Sequence, residues 1–151
     1  MNNADRAAAL FQEGCCCSQA ILAVFGERFH LDREMAMRLA AGFGGGMGRQ
    51  GGVCGAVSGA VMVLGLNFGN VVPSDQQAKQ AAYDRVREFA RRFQTRHGSL
   101  ICRDLLDCDI SSAEGLAMAK RHGLFSTVCA PLVRDAASML DDVLGEAAPD
   151  K

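Results

Sequence analysis

An all-α fold of about six or seven helices is expected from three features of the sequence. Apolar residues recur three and four positions apart in segment after segment. No stretch alternates convincingly between polar and apolar residues, and Ser, Asp and Gly stand where helices would begin and end. At 151 residues the chain has the usual size of one domain, and neither a linker nor an internal repeat divides it. A single domain over residues 1–151, with an ordered core of about 4–145, is therefore expected.

The first helix is expected over Ala4 to Glu13, where Ala7, Leu10 and Phe11 share one face and Gly14 follows as a stop. Three consecutive cysteines come next. Ile21, Val24, Phe25 and Phe29 then recur at helical spacing, which predicts a second helix from about Cys17 to His30 with Cys15 to Cys17 in its first turn. Asp32 is the expected N-cap of a third helix through Met35, Leu39 and Ala40, ending at Gly42.

From Gly42 to Gly59 the chain places nine glycines and one cysteine in eighteen residues. Backbone this rich in glycine can adopt positive φ and lie close to other groups, which suits a shaped loop beside a reactive side chain. Val53 to Leu66 is apolar on all sides and suits a central buried helix behind that loop. A Val-rich strand is the rival reading, but the small residues Gly55, Ala56, Gly59 and Ala60 make one close-packing face only at helical spacing.

Asn67 to Pro73 reads as a loop. Ser74 or Asp75 caps a long helix whose stripe is Ala82, Val86, Phe89 and Phe93, with Lys79, Arg85, Arg87, Arg91 and Arg92 facing elsewhere and an end near His97-Gly98. Ser99 can cap a short turn over Leu100 to Leu106. Ser111 and Glu114 have capping-box spacing at the head of a helix that closes at His122-Gly123. The last helix carries Val133, Ala136, Ala137, Leu140 and Leu144, and Pro131 places its start near Thr127 to Cys129. The tail from Glu146 to Lys151 is expected to fray.

Composition narrows the function. A net charge of −1 offers no broad basic surface, so no nucleic acid is expected as a partner. The longest apolar run is too short to span a bilayer, the N-terminus lacks the layout of a signal peptide, and the expected compartment is the cytoplasm. Seven cysteines are many for such a chain. In a reducing compartment they point to metal binding or redox chemistry rather than to a static disulfide framework, and their odd number excludes complete pairing within one chain.

Cys17, Cys54, Cys102 and Cys129 each fall in or just before the first turn of an expected helix. Unpaired N–H groups and the partial positive charge at a helix start favour a thiolate and lower a pKa of about 8.5 by one or more units. Plain apolar packing is the competing reading for each of them and the preferred one for Cys108. No C-x-x-C pair occurs, which argues against a thioredoxin-like motif and a standard zinc ribbon. The glycine stretch lacks both the strand and acid of a dinucleotide fingerprint and the terminal Lys of a P-loop. Arg49 could receive an anion or partner a thiolate, or simply be solvated. His30, His97 and His122 sit near helix C-termini, where a cation offsets the dipole. Arg91, Arg92, Arg96 and His97 read as a solvated basic patch.

These residues resemble the C-GCAxxG-C-C family of small proteins, whose redox activity is inferred from four cysteines. One of the four lies in a motif similar to Cys54-Gly55-Ala56-Val57-Ser58-Gly59. The resemblance runs from about Leu10 to Leu144 and aligns Gly14-Cys15-Cys16-Cys17-Ser18-Gln19 so that Cys17 is the first family position. Cys102 and Cys129 are the third and fourth; Cys15, Cys16 and Cys108 have no counterpart. The resemblance implies electron transfer with a redox partner or a membrane transporter system, and the absence of C-x-x-C-H excludes covalent haem. Homo-oligomer formation is left open.

Two chemistries follow. In the first, Cys54 and one of Cys17, Cys102 or Cys129 form a reversible dithiol/disulfide couple, the remaining pair relaying oxidising equivalents, with Gly45, Gly46, Gly55 and Gly59 shaping the backbone around them. In the second, the four thiolates hold an iron–sulfur cluster or zinc.

Overall fold

The computed structural model describes residues 1–146, of which the expected fraying includes only Glu146; the rest of that tail lies outside the described residues. The chain is 75 % helical, with eight helices and no strand among the described residues. They are α1 (Asn3–Gln12), α2 (Cys17–Gly26), α3 (Arg33–Ala40), α4 (Gly55–Phe68), α5 (Gln76–His97), α6 (Cys102–Leu106), α7 (Ala113–Arg121) and α8 (Ala130–Gly145). The all-α expectation holds, and the short turn before Leu106, formed as α6, makes the eighth helix.

Four helices start at a side chain that accepts a backbone N–H three residues on: Asn2 from Asp5, Asp32 from Met35, Asp75 from Ala78 and Ser112 from Gly115, at 2.8–3.1 Å. Asp32 and Asp75 were the expected caps. Ser111 was not realised as one, because its hydroxyl and N–H are both taken by the Asp109 carboxylate, so the cap moves to Ser112 and Glu114 loses its box position.

Other boundaries shift for local reasons. The second helix ends at Gly26 and tightens into a 3₁₀ turn over Glu27–Phe29, leaving His30 left-handed at φ 59°. Gly42 does not stop the third, which continues as a 3₁₀ turn through Phe43 before Gly44 extends. α4 starts at Gly55 rather than Val53, because Val53 pairs with Ile101 in an isolated antiparallel bridge, and it runs through Asn67 to Phe68.

α4 is the hub, packed on α2, α5 and α8, while α1 closes over α2 and α8. Its small face does what its spacing implied. A Cβ at Gly59 would lie 3.0 Å from the Ile21 Cβ and 3.0 Å from the Ser18 carbonyl, so α2 and α4 touch backbone to side chain. Burial covers its first three turns, from Gly55 to Leu64, but Gly65 to Asn67 emerge into solvent. Arg85 is a correction to the expected polar face of α5. It is 7 % exposed, lies over the Phe68 ring at 4.7 Å, and donates to the Val143 carbonyl at 3.3 Å.

The basic patch on α5 is neutralised: Glu88 holds Arg91 and Arg92, Glu146 also takes Arg92, and Asp135 faces Arg96 and His97. No described helix is long and apolar enough to cross a membrane. The buried side chains form two apolar clusters. Cys54 belongs to the one around α2, α4 and α8, Cys102 and Cys129 to the one around α6 and α7, and Cys17 packs against both.

Candidate thiol site

The glycine stretch builds the wall of the site. From Gly45 to Arg49 every residue has positive φ, 58–70°, including Met47 and Arg49, so the chain makes a left-handed coil that side chains ordinarily resist by about 1–2 kcal/mol per residue. Gly46 is the tightest point: a Cβ there would lie 2.5 Å from the Gly52 nitrogen and 2.9 Å from the Cys102 Cβ. The coil closes through Gly48 N–H to Gly42, Gly51 N–H to Gly45 and Gly52 N–H to Gly46. Beyond it, Cys102 N–H donates to Gly52 at 2.6 Å and Cys54 N–H donates to Leu100 at 2.8 Å, on either side of the Val53–Ile101 bridge. This lacing puts the starts of α4 and α6 side by side. Cys54 and Cys102 are thereby fixed together although distant in sequence.

Cys54 is the N-cap residue of α4 and Cys17 the first residue of α2. Gly55 lets the two helix starts meet, since a Cβ there would stand 3.1 Å from the Cys17 Cβ. Cys102 opens α6. The helix-start expectation fails at Cys129, which ends a π-helical turn over Phe125–Cys129 running without a break into α8; Ala130 N–H is already bonded back to Phe125. Cys129 therefore has no open helix end beneath it. Such π turns are frequent at functional sites.

The thiols differ sharply in acidity. Cys17 is pushed well above the ordinary thiol range because its S–H is held by Cys129 and by Cys54 and is buried between them. Cys54 is lowered, first by the Cys17 hydrogen bond and then, against the cost of burial, by the N–H groups of Ala56 and Val57 at the start of α4. Burial, with the neighbouring sulfurs of Cys54 and Cys129, pushes Cys102 up to about 12. The surroundings favour the thiolate form of Cys54 over that of Cys17.

All four open onto one cavity of about 620 Å³, and so do Cys15 and Cys16. Cys16 caps α2, its N–H donating to Gln19 at 3.0 Å and its sulfur lying 3.3 Å from the Ser18 hydroxyl. The triple cysteine thus starts α2 only at its third member. Spacing alone hid the roles of Cys15 and Cys16, because a cap turns the preceding chain back over the helix end. Burial also raises Cys15. Cys108 stays outside the cavity, buried, its thiol donating to the Gly115 carbonyl at 3.2 Å, as expected of a core residue. Arg49 and Lys120 stand on the cavity rim.

All seven cysteines are free thiols. Among the described residues, no three His, Cys, Asp or Glu side chains are grouped as metal ligands. The family model described as "Putative redox-active protein (C_GCAxxG_C_C)" matches residues 15–143. The chain belongs to the C_GCAxxG_C_C family. No match was found among curated proteins or among solved structures. The C_GCAxxG_C_C match spans Cys17, Cys54, Cys102 and Cys129, all of which line the cavity.

Proposed function

We propose that this chain is a thiol redox protein in which Cys54 attacks and Cys17 resolves. The hydrogen bond that lowers Cys54 while raising Cys17 carries this reading, since it makes Cys54 the more acidic of two neighbouring thiols facing one cavity. The Cys54 thiolate attacks one sulfur of a disulfide, forming a mixed disulfide and releasing a thiolate that takes a proton from water. Cys54 is then neutral and no longer attracts the Cys17 proton. As Cys17 attacks the Cys54 sulfur its proton passes to the departing second thiolate, so two protein thiols become one disulfide and the substrate, leaving as two thiols, gains two electrons. Cys129, hydrogen-bonded to Cys17, and Cys102 beside it then pass the disulfide onward. A separate redox partner restores the dithiol, in a compartment that keeps thiols reduced.

Anaerobic purification followed by metal analysis and a thiol count before and after one equivalent of mild oxidant tests the proposal. Two thiols lost and regained with reductant, in metal-free protein, is the expected outcome. About one zinc per chain that survives dialysis, or a broad visible absorption from iron–sulfur, would replace it with the four-thiolate reading.

A further inference from the structure

We infer that the disulfide taken by this cavity is a small anionic molecule, one bearing carboxylates beside its S–S bond, and that Arg49 and Lys120 recognise its charge. The inference rests on the Cys54–Cys17 couple proposed above. The cavity, at about 620 Å³, has the volume of sites that enclose small organic molecules, roughly 300–1,000 Å³. Its lining contains two cations and no Asp or Glu. Neither cation has a carboxylate within ion-pair distance among the described residues, although nine such pairs form elsewhere.

The two charges come from different walls. Arg49 ends the left-handed coil, where positive φ holds an ordinary side chain in a disfavoured backbone state; Gly51, two residues on, has the same φ sign and is a glycine. Its aliphatic stem lies against Gly45, 2.8 Å from where a Cβ would be, which fixes the base of the side chain at the rim. Lys120 comes from the last turn of α7. Apolar Phe11, Leu105 and Phe125 line the wall and suit the carbon chain between charge and sulfur. An anionic disulfide held by either cation would lie in the same cavity as the thiols. The Cys54 thiolate repels anions, so preference for one has to come from these side chains. In the reaction Cys54 and Cys17 are oxidised to a disulfide and the substrate is reduced to two thiols, with no further reagent.

The test uses prereduced full-length protein and three probes in single turnover: dithiodipropionate (anionic), bis(2-hydroxyethyl) disulfide (neutral) and cystamine (cationic). The expected result is a second-order rate constant for the anion about tenfold above that for the cation at low salt, the ratio shrinking as salt screens it. In Arg49→Gln/Lys120→Gln the ratio should collapse towards or below one, while Lys79→Gln/Arg87→Gln, the same charge change on α5 away from the cavity, keeps it. Should the double variant not fold, the salt series on the wild type decides. A ratio near one in the wild type, or one untouched by salt and by the double variant, overturns charge recognition while leaving the couple intact. No reaction with any probe, the neutral one included, overturns the couple itself.

Discussion

Cys17 and Cys54 carry the same group, yet one hydrogen bond divides them into a held thiol and a favoured thiolate. Removing the donor should undo the division. In Cys17→Ala, the pH midpoint of Cys54 alkylation by iodoacetamide is expected to move upward, and the rate at neutral pH to fall; an unmoved midpoint would show that the α4 start alone sets the acidity. Cys102 makes a separate expectation about stability. Its folded-state pKa of about 12 lies above the unfolded value of about 8.5, so between those pH values the unfolded chain gives up the proton first. With the folded form binding more protons, stability falls as pH rises through that window. Cys102→Ala should flatten the alkaline slope of the urea midpoint, whereas Cys108→Ala, whose thiol is tied to Gly115 outside the cavity, serves as the cavity-making control. At this scale the sequence already singled out Cys17, Cys54, Cys102 and Cys129. It could not reveal Cys15 and Cys16 as liners, because that depends on the direction in which the chain leaves the α2 cap.

Helix starts and the coil between them do the positioning. Gly59 is where α2 and α4 come closest, and Gly59→Ala is expected to cost about 1–3 kcal/mol in urea unfolding, since the Cβ must displace Ile21 or the Ser18 carbonyl. Gly46 and Gly48 separate strain from space. Both have positive φ, but nothing lies within 4 Å of a Cβ at Gly48, so Gly48→Ala should cost about 1–2 kcal/mol and Gly46→Ala clearly more, with Cys102 disturbed as well. Equal costs at the two sites would mean that the coil gives way readily. The close-packing face of α4 was legible because small residues repeat at helical spacing. The left-handed path through Met47 and Arg49 was not, since local preference opposes it and closure onto Gly42, Gly44, Gly45 and Gly46 holds it. Cys129 was misplaced for a related reason: the π turn before α8 satisfies the backbone groups that a true helix start would leave free.

Across the whole molecule the thiols lie at the seam of two apolar clusters, with Cys17 packed against both. A disulfide from Cys17 to Cys54 would close the chain through α2, α3 and the coil, and such closures commonly stabilise by about 2–4 kcal/mol. The oxidised protein is therefore expected to unfold at higher urea than the reduced one; a lower midpoint would mean that the bond strains the seam. The helical architecture followed from periodicity and caps, which act locally. The Val53–Ile101 bridge joins segments far apart in sequence and leaves no local pattern, although it sets Cys54 beside Cys102. The burial of Arg85 likewise leaves no local pattern, because its partners are Phe68 and the Val143 carbonyl on other helices.

Peptide mapping of the protein after one equivalent of oxidant, with free thiols blocked in acid before digestion, reads the couple directly. The expected product in the wild type is a Cys17–Cys54 disulfide, lost in Cys54→Ser. A first-formed bond that excludes Cys54, or seven free thiols after oxidation, would contradict it.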